Sequence, residues 1–146
     1  MTTIDLRNDP LFGAATIDTL KIALKLSAAV LDKKAVNPVL LEVSDLVSYA
    51  DYLLIVTATS SPHVLAVADE ARRLAKEEGI ELLANEGLDS SRWVLLDFGD
   101  VVLHIFQPVE RNYYDLETLW LEAPRVDIPG AEDAVDTESM YYAPNS

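Results

Sequence analysis

The chain has 146 residues, half of them hydrophobic, which suits one domain with a real core and a short extension. The absence of cysteine excludes disulfides and thiolate metal sites, and 25 acidic against 11 basic residues give a net charge of −14 that disfavours broad binding to nucleic-acid phosphates. No apolar run approaches the roughly 18–20 residues that cross a bilayer, and the start MTTIDLRNDPLFG lacks the basic and apolar regions of a secretory signal, so a cytoplasmic protein is expected.

Residues 1–15 read as a loose lead-in. From Thr16 to about Val36, Leu20, Ala23, Leu24, Ala28 and Leu31 follow helical spacing, with Thr16 as the expected N-cap and Asn37-Pro38 as the stop. Val39 to Val43 reads as a strand, and Tyr52 to Thr57 as a second, apolar on both faces and therefore buried. Ser60-Ser61-Pro62 is a helix start: serine caps orphan amides and proline fits the first turn. Val64, Val67, Ala68, Ala71, Leu74 and Ala75 form one apolar stripe, and Gly79 ends the helix.

Ile80 to Ala84 is expected to be a short strand, with Asn85-Glu86-Gly87 as a turn. Trp93 to Asp97 and Asp100 to Phe106 predict a hairpin closed by Phe98-Gly99. That loop pairs Asp97 with Asp100 and sets Trp93 opposite His104. It also puts Trp93, Leu95, Val102, His104 and Phe106 on one face, and Val94, Leu96, Val101, Leu103 and Ile105 on the other. Two apolar faces imply central strands covered on both sides. Glu110 to about Glu122 reads as a last helix with Tyr113, Leu116, Leu119 and Trp120 on one face. Residues 124–146 are acidic and proline-bearing, and read as a mobile tail. The expected fold is a single layered α/β domain, residues 16–123, around a mixed five-stranded sheet flanked by helices.

The five glycines are scattered, so neither a P-loop nor a dinucleotide fingerprint can be assembled, and nucleophile-elbow and zinc-helix patterns are missing. His63 and His104 fit no ligand spacing, and no cofactor is expected. Asp97 and Asp100 could hold magnesium and act in a nucleotidyltransferase or nuclease, but aspartates beside a hairpin turn more often cap backbone amides. Ser60 and Ser61 near His63 could suggest nucleophile and base, yet serines before a proline more often form a helix cap. His104 is equally readable as a core histidine or as part of a contact surface. Arg111 could pair with Asp115 at i+4. Trp120 suits a core, but its grouping with Arg111, Tyr113 and Tyr114 on one short helix has the composition of an interface hot spot.

Several motifs in fixed order resemble those of the ribosomal silencing factors, the Iojap-related proteins. They are Ser48-Tyr49-Ala50-Asp51-Tyr52, Thr57 to Ser61 with His63-Val64, Ala68-Asp69-Glu70, Glu86-Gly87, Trp93, Asp97 to Phe106, and Arg111 to Trp120. The resemblance covers roughly residues 16–123. Ala58 stands where the family usually has glycine, and Phe98 where it often has tyrosine. The resemblance implies a nucleotidyltransferase-like fold without the catalytic equipment, and frequent homodimers. It also implies binding to the large ribosomal subunit through large-subunit protein fourteen, which hinders small-subunit joining and represses translation, with a role in large-subunit assembly also attributed to the family. On that basis the partner-binding residues are expected to be Trp93, Asp97, Asp100, His104, Arg111, Tyr113, Tyr114 and Trp120, acting by steric occlusion with no covalent step. Neither a membrane nor nucleic acid is expected as the main contact.

Overall fold

The structure, a computed structural model, describes residues 17–136. The elements are α1 (Ile17–Asp32), β1 (Val36–Glu42), β2 (Tyr52–Thr57), α2 (Ser61–Glu77), β3 (Ala84–Glu86), β4 (Trp93–Asp97), β5 (Val101–Phe106), α3 (Pro108–Tyr114), α4 (Leu116–Leu119) and β6 (Arg125–Val126), then a short 3-10 helix, Ala131–Ala134. The expected lead-in and the Thr16 cap lie outside the described residues.

The strands form one mixed sheet in the order β3-β4-β5-β2-β1-β6. The central pair β2–β5 is parallel, with Tyr52 opposite Val101 and Thr57 opposite Phe106; the other pairings are antiparallel. Both central strands are buried at every position, as their two-sided apolar sequences require. One face carries Leu40, Leu54, Val56, Val94, Leu96, Leu103 and Ile105 and is covered by Ala23, Leu26 and Val30 of α1 and Val64, Val67, Ala68 and Ala71 of α2. The opposite face carries Leu41, Val43, Leu53, Ile55, Val102 and Phe106, and is covered in part by Val47, Leu116, Trp120 and Ala123. Each fully buried leucine or isoleucine contributes about 2 kcal/mol of transfer free energy.

Local chemistry sets the ends of α2. Ser60 is extended and its hydroxyl accepts from His63 N–H at 3.2 Å, with Pro62 in the first turn. At the other end Gly79 N–H reaches Lys76 O and Ile80 N–H reaches Ala75 O, which satisfies two of the last carbonyls.

Five expectations about the elements need correction. The first helix ends at Asp32 rather than near Val36, and Val36-Asn37-Pro38 opens β1 instead of stopping the helix. The sheet has six strands rather than five. The third strand is Ala84–Glu86 rather than Ile80–Ala84: Ile80 and Leu82 pack as irregular chain against the α1–α2 side of the core, and pairing begins only where Ala84 meets Asp97. The expected last helix is two helices, because Asp115 sits in the left-handed region (φ 47°, ψ 55°) and turns the chain. Residues 124–136, read as mobile, belong to the fold. Arg125 and Val126 pair with Leu41 and Leu40, Ile128 is buried, and the Asn37 side chain holds Asp136 through Nδ2 to O at 3.1 Å and N to Oδ1 at 2.9 Å.

The β4–β5 register is a sixth correction. Asp97 faces Val102, Leu95 faces His104, and Trp93 faces Phe106, a shift of two residues from the expected pairing. Because side chains alternate with period two, this shift leaves both expected faces intact.

Candidate functional site

At the C-terminal end of β5, side chains from the hairpin and α3 meet. Trp93 stacks on Phe106 with ring centroids 4.9 Å apart and lies 4.5 Å from Tyr114, which makes an edge-on contact with Tyr113 at 5.0 Å. Tyr113 is 79% exposed and Tyr114 47% exposed. Pro108 starts α3 immediately after β5, which places both tyrosines beside Trp93. Farther along, Leu116 and Trp120 turn inward onto the second core, while Leu119 and Leu121 are 71% and 75% exposed. The expected stripe is thus split by the turn at Asp115: Leu116 and Trp120 pack, Tyr113 and Leu119 face solvent. The result is an aromatic rim with flanking leucines on a partly covered sheet face.

His104 lies behind this rim, only 7% exposed. Its Nδ1 accepts from Trp93 Nε1 at 3.1 Å, which places the neutral ring's proton on Nε2. Burial without a compensating anion pulls its pKa down to about 4.

Arg111 is largely buried and faces inward. Its Nη1 donates to Thr57 Oγ1 at 3.0 Å, and Nε and Nη2 each reach a Glu117 carboxylate oxygen at 3.3 Å. Desolvation lowers its pKa, and the Glu117 charge opposes that shift. The expected i+4 partner, Asp115, instead accepts from Thr118 Oγ1 at 2.6 Å. The turn at Asp115 brings Glu117 back across the break, so Arg111 ties α3 to α4 and to β2.

Asp97 and Asp100 sit at the opposite end of the hairpin, about 13 Å along β4 from Trp93 at ~3.3 Å per residue. Asp97 Oδ1 accepts from Gly99 N–H at 2.8 Å, the capping role that a turn aspartate favours. Asp100 gives its carbonyl to the Asp51 and Tyr52 amides, and its carboxylate is exposed. Burial, then Asp100 and Glu42, raise the Asp51 pKa, so this end of the sheet concentrates negative charge. Among the described residues no group of three or more His, Cys, Asp or Glu side chains is placed to hold a metal ion. His63 Nδ1 accepts from Thr59 N–H at 3.0 Å and Nε2 donates to Lys33 O at 2.8 Å, so backbone occupies both nitrogens and the ring does not serve as base to Ser60 or Ser61.

Of the eight expected residues, the structure groups Trp93, His104, Tyr113 and Tyr114, with His104 behind the surface. Arg111 and Trp120 support that region from within, and Asp97 and Asp100 lie apart. Sequence reasoning did not select Phe106, Leu119 or Leu121. Phe106 shared the correct face with Trp93, which was a usable signal; Leu121 falls outside the helical period and gave none.

These features define a small α/β domain with a mixed sheet, two helices on one face and an aromatic rim on the other. Residues 16–144 match the family model described as ribosomal silencing factor during starvation. A ribosomal silencing factor of Halalkalibacterium halodurans is 46% identical over 102 residues, covering 70% of this chain and 87% of that protein. One from Bacillus subtilis is 44% identical over 109 residues, covering 74% and 92%. The crystal structure of protein CV0518 from Chromobacterium violaceum superposes with a TM-score of 0.69 at 32% identity, covering 76% of this chain and 92% of that one. The chain belongs to the ribosomal silencing factor family. The family match runs to residue 144, so the segment after residue 123, expected to lie outside the shared pattern, is inside it.

Proposed function

We propose that this protein docks its aromatic rim onto the large ribosomal subunit, through large-subunit protein fourteen, and represses translation by occupying space the small subunit needs. The reading rests on family membership together with one observation: Trp93, Tyr113 and Tyr114 form a contiguous aromatic group whose two tyrosines are exposed and whose tryptophan is half-buried among the described residues. Aromatic side chains supply large contact area at small entropic cost, which is why they dominate hot spots. The net charge of −14 favours encounter with a basic ribosomal protein and disfavours RNA as the main contact.

The action is binding and exclusion, with no covalent step and no cofactor, in the cytoplasm where ribosomes work. In isolation the factor forms a homodimer, which sedimentation equilibrium tests separately. Trp93, Tyr113 and Tyr114 make the contact. His104, Arg111 and Trp120 hold the rim in place, and Asp97 and Asp100 steer approach through their charge.

The deciding experiment is co-sedimentation with isolated large subunits, followed by addition of small subunits. The factor is expected to co-migrate with the large subunit and reduce the joined particle. Absence of co-migration at low ionic strength overturns the proposal. Metal-dependent nucleotide turnover lost in Asp97→Asn would favour an enzyme instead.

A further inference from the structure

A cavity of about 460 Å³ lies between the ends of β1 and β2, α3, and the C-terminal segment that Asn37 pins through Asp136. Its polar wall includes Thr57, Arg111, Asn112, Glu117 and Arg125. Two guanidinium groups therefore share one concavity in a chain with more than twice as many acids as bases. They are close enough that Arg125 disfavours the charge on Arg111. Arg125 is exposed and Arg111 largely buried, so the repulsion bears mainly on Arg111, and an anion between the two would offset it.

The chain's own offset is incomplete. Glu117 contacts Arg111 at 3.3 Å for both bonds, long for a charge-assisted pair. Arg125 forms no ion pair among the described residues, and Glu132, also in the wall, pairs with neither arginine. Thr57 is buried, lines the cavity and accepts from Arg111, so its hydroxyl retains the capacity to donate one hydrogen bond. Val39 and Val135 give the remaining wall an apolar part.

We propose that this cavity binds a small molecule bearing an oxyanion, carboxylate or phosphate, with Arg125 and the inward edge of Arg111 holding the charged group and Thr57 donating beside them. The planar guanidinium fork matches either oxyanion. The volume falls within the range of sites for metabolite-sized ligands, about 300–1,000 Å³. This site adjoins the aromatic rim through Arg111 at the base of α3, but it does not depend on the ribosomal reading.

The test is a titration of the full chain, followed by NMR of the arginine Nε–H and asparagine amide signals. Sodium phosphate and sodium benzoate serve as probes, with sodium chloride holding the ionic strength fixed. Saturable shifts at Arg125, Arg111 and Asn112 are expected with one or both probes. Phosphate alone marks a bare oxyanion site, and tighter benzoate marks use of the apolar wall. Arg125→Ala keeps the backbone pairing of β6 and is expected to weaken binding about tenfold without changing Tm. Arg72→Ala, on the outer side of α2, leaves binding unchanged. Shifts that never saturate, that chloride reproduces, or that survive Arg125→Ala at full strength overturn the proposal.

Discussion

The indole N–H of Trp93 donates to Nδ1 of His104, although Trp93 itself sits opposite Phe106 in the strand pairing. The bond runs diagonally across the hairpin and fixes both rings. It also fixes the histidine's protonation state, because a protonated Nδ1 would face another donor. Burial acts in the same direction and holds the folded pKa near 4, against an ordinary value of 6.5.

Stability should therefore fall in acid through this one group. The unfolded ring takes up a proton as pH drops through 6.5, while the folded ring resists until about 4. The contribution is complete above the first value, shrinks between the two, and changes no further below the second. The loss at about pH 5 is roughly 2 kcal/mol. Asp51, with its raised pKa, acts in the opposite direction in acid, so the comparison must be with His104→Asn, which keeps an acceptor but does not titrate. Urea unfolding at neutral and acid pH is expected to show the extra loss in the natural chain and not in the variant. Equal slopes in both proteins would remove His104 as the cause.

Arg111 offers a sharper stability test. Arg111→Met leaves the Thr57 hydroxyl without its donor and Glu117 without its partner. The expected cost is about 2–3 kcal/mol, below the value for a fully buried pair because Glu117 is partly exposed. Arg111→Lys keeps the charge but cannot bridge Thr57 and both Glu117 oxygens, so it should recover only part of the loss. A double-mutant cycle with Glu117→Gln should show coupling between the two sites; additive losses would mean that the pair contributes nothing.

Gly87 carries a steric constraint in the connection between β3 and β4. A Cβ there would lie 1.9 Å from the Trp93 carbonyl oxygen, and the residue has φ +86°. Neither the backbone atom nor the dihedral can yield cheaply, so Gly87→Ala should cost about 3 kcal/mol or more and displace the start of β4. Quenched Trp93–Tyr114 contact, read by near-UV circular dichroism, would accompany the loss. A Gly87→Ala protein as stable as the natural chain would contradict the close approach.

Much of this architecture is written in local chemistry. The α2 start is legible because Ser60 and Pro62 act on their immediate neighbours. The faces of β4 and β5 are legible because alternation alone fixes them. Their register is not, because it depends on the turn: Phe98 N–H bonds Val101 O and Gly99 adopts φ +88°, which adds residues to the connection that Phe98-Gly99 alone would make. β6 is hidden by its composition, since two residues amid acids and prolines gain strand structure only from pairing with β1 and burying Ile128. At the candidate site the residue types were readable, but which of them face outward was not. That depended on Asp115 adopting a left-handed backbone in the middle of an apparently continuous helical pattern.

The most informative functional variant follows from that division. Tyr113 is the most exposed aromatic of the rim and supports no buried core cluster, so Tyr113→Ala should leave folding stability within about 0.5 kcal/mol. Trp93→Ala removes a ring that also packs on Phe106 and accommodates Tyr114, so it should both weaken binding and lower stability. If the rim is the docking surface, each change weakens large-subunit binding by about 1–3 kcal/mol, and Tyr113→Ala does so in a protein that melts normally. Tyr114→Ala should fall between the two. Co-sedimentation against a range of subunit concentrations reads the affinity, and a thermal melt reads the fold. A Tyr113→Ala protein that binds and blocks subunit joining as the natural chain does would move the contact away from the tyrosine pair, toward the exposed Leu119 and Leu121.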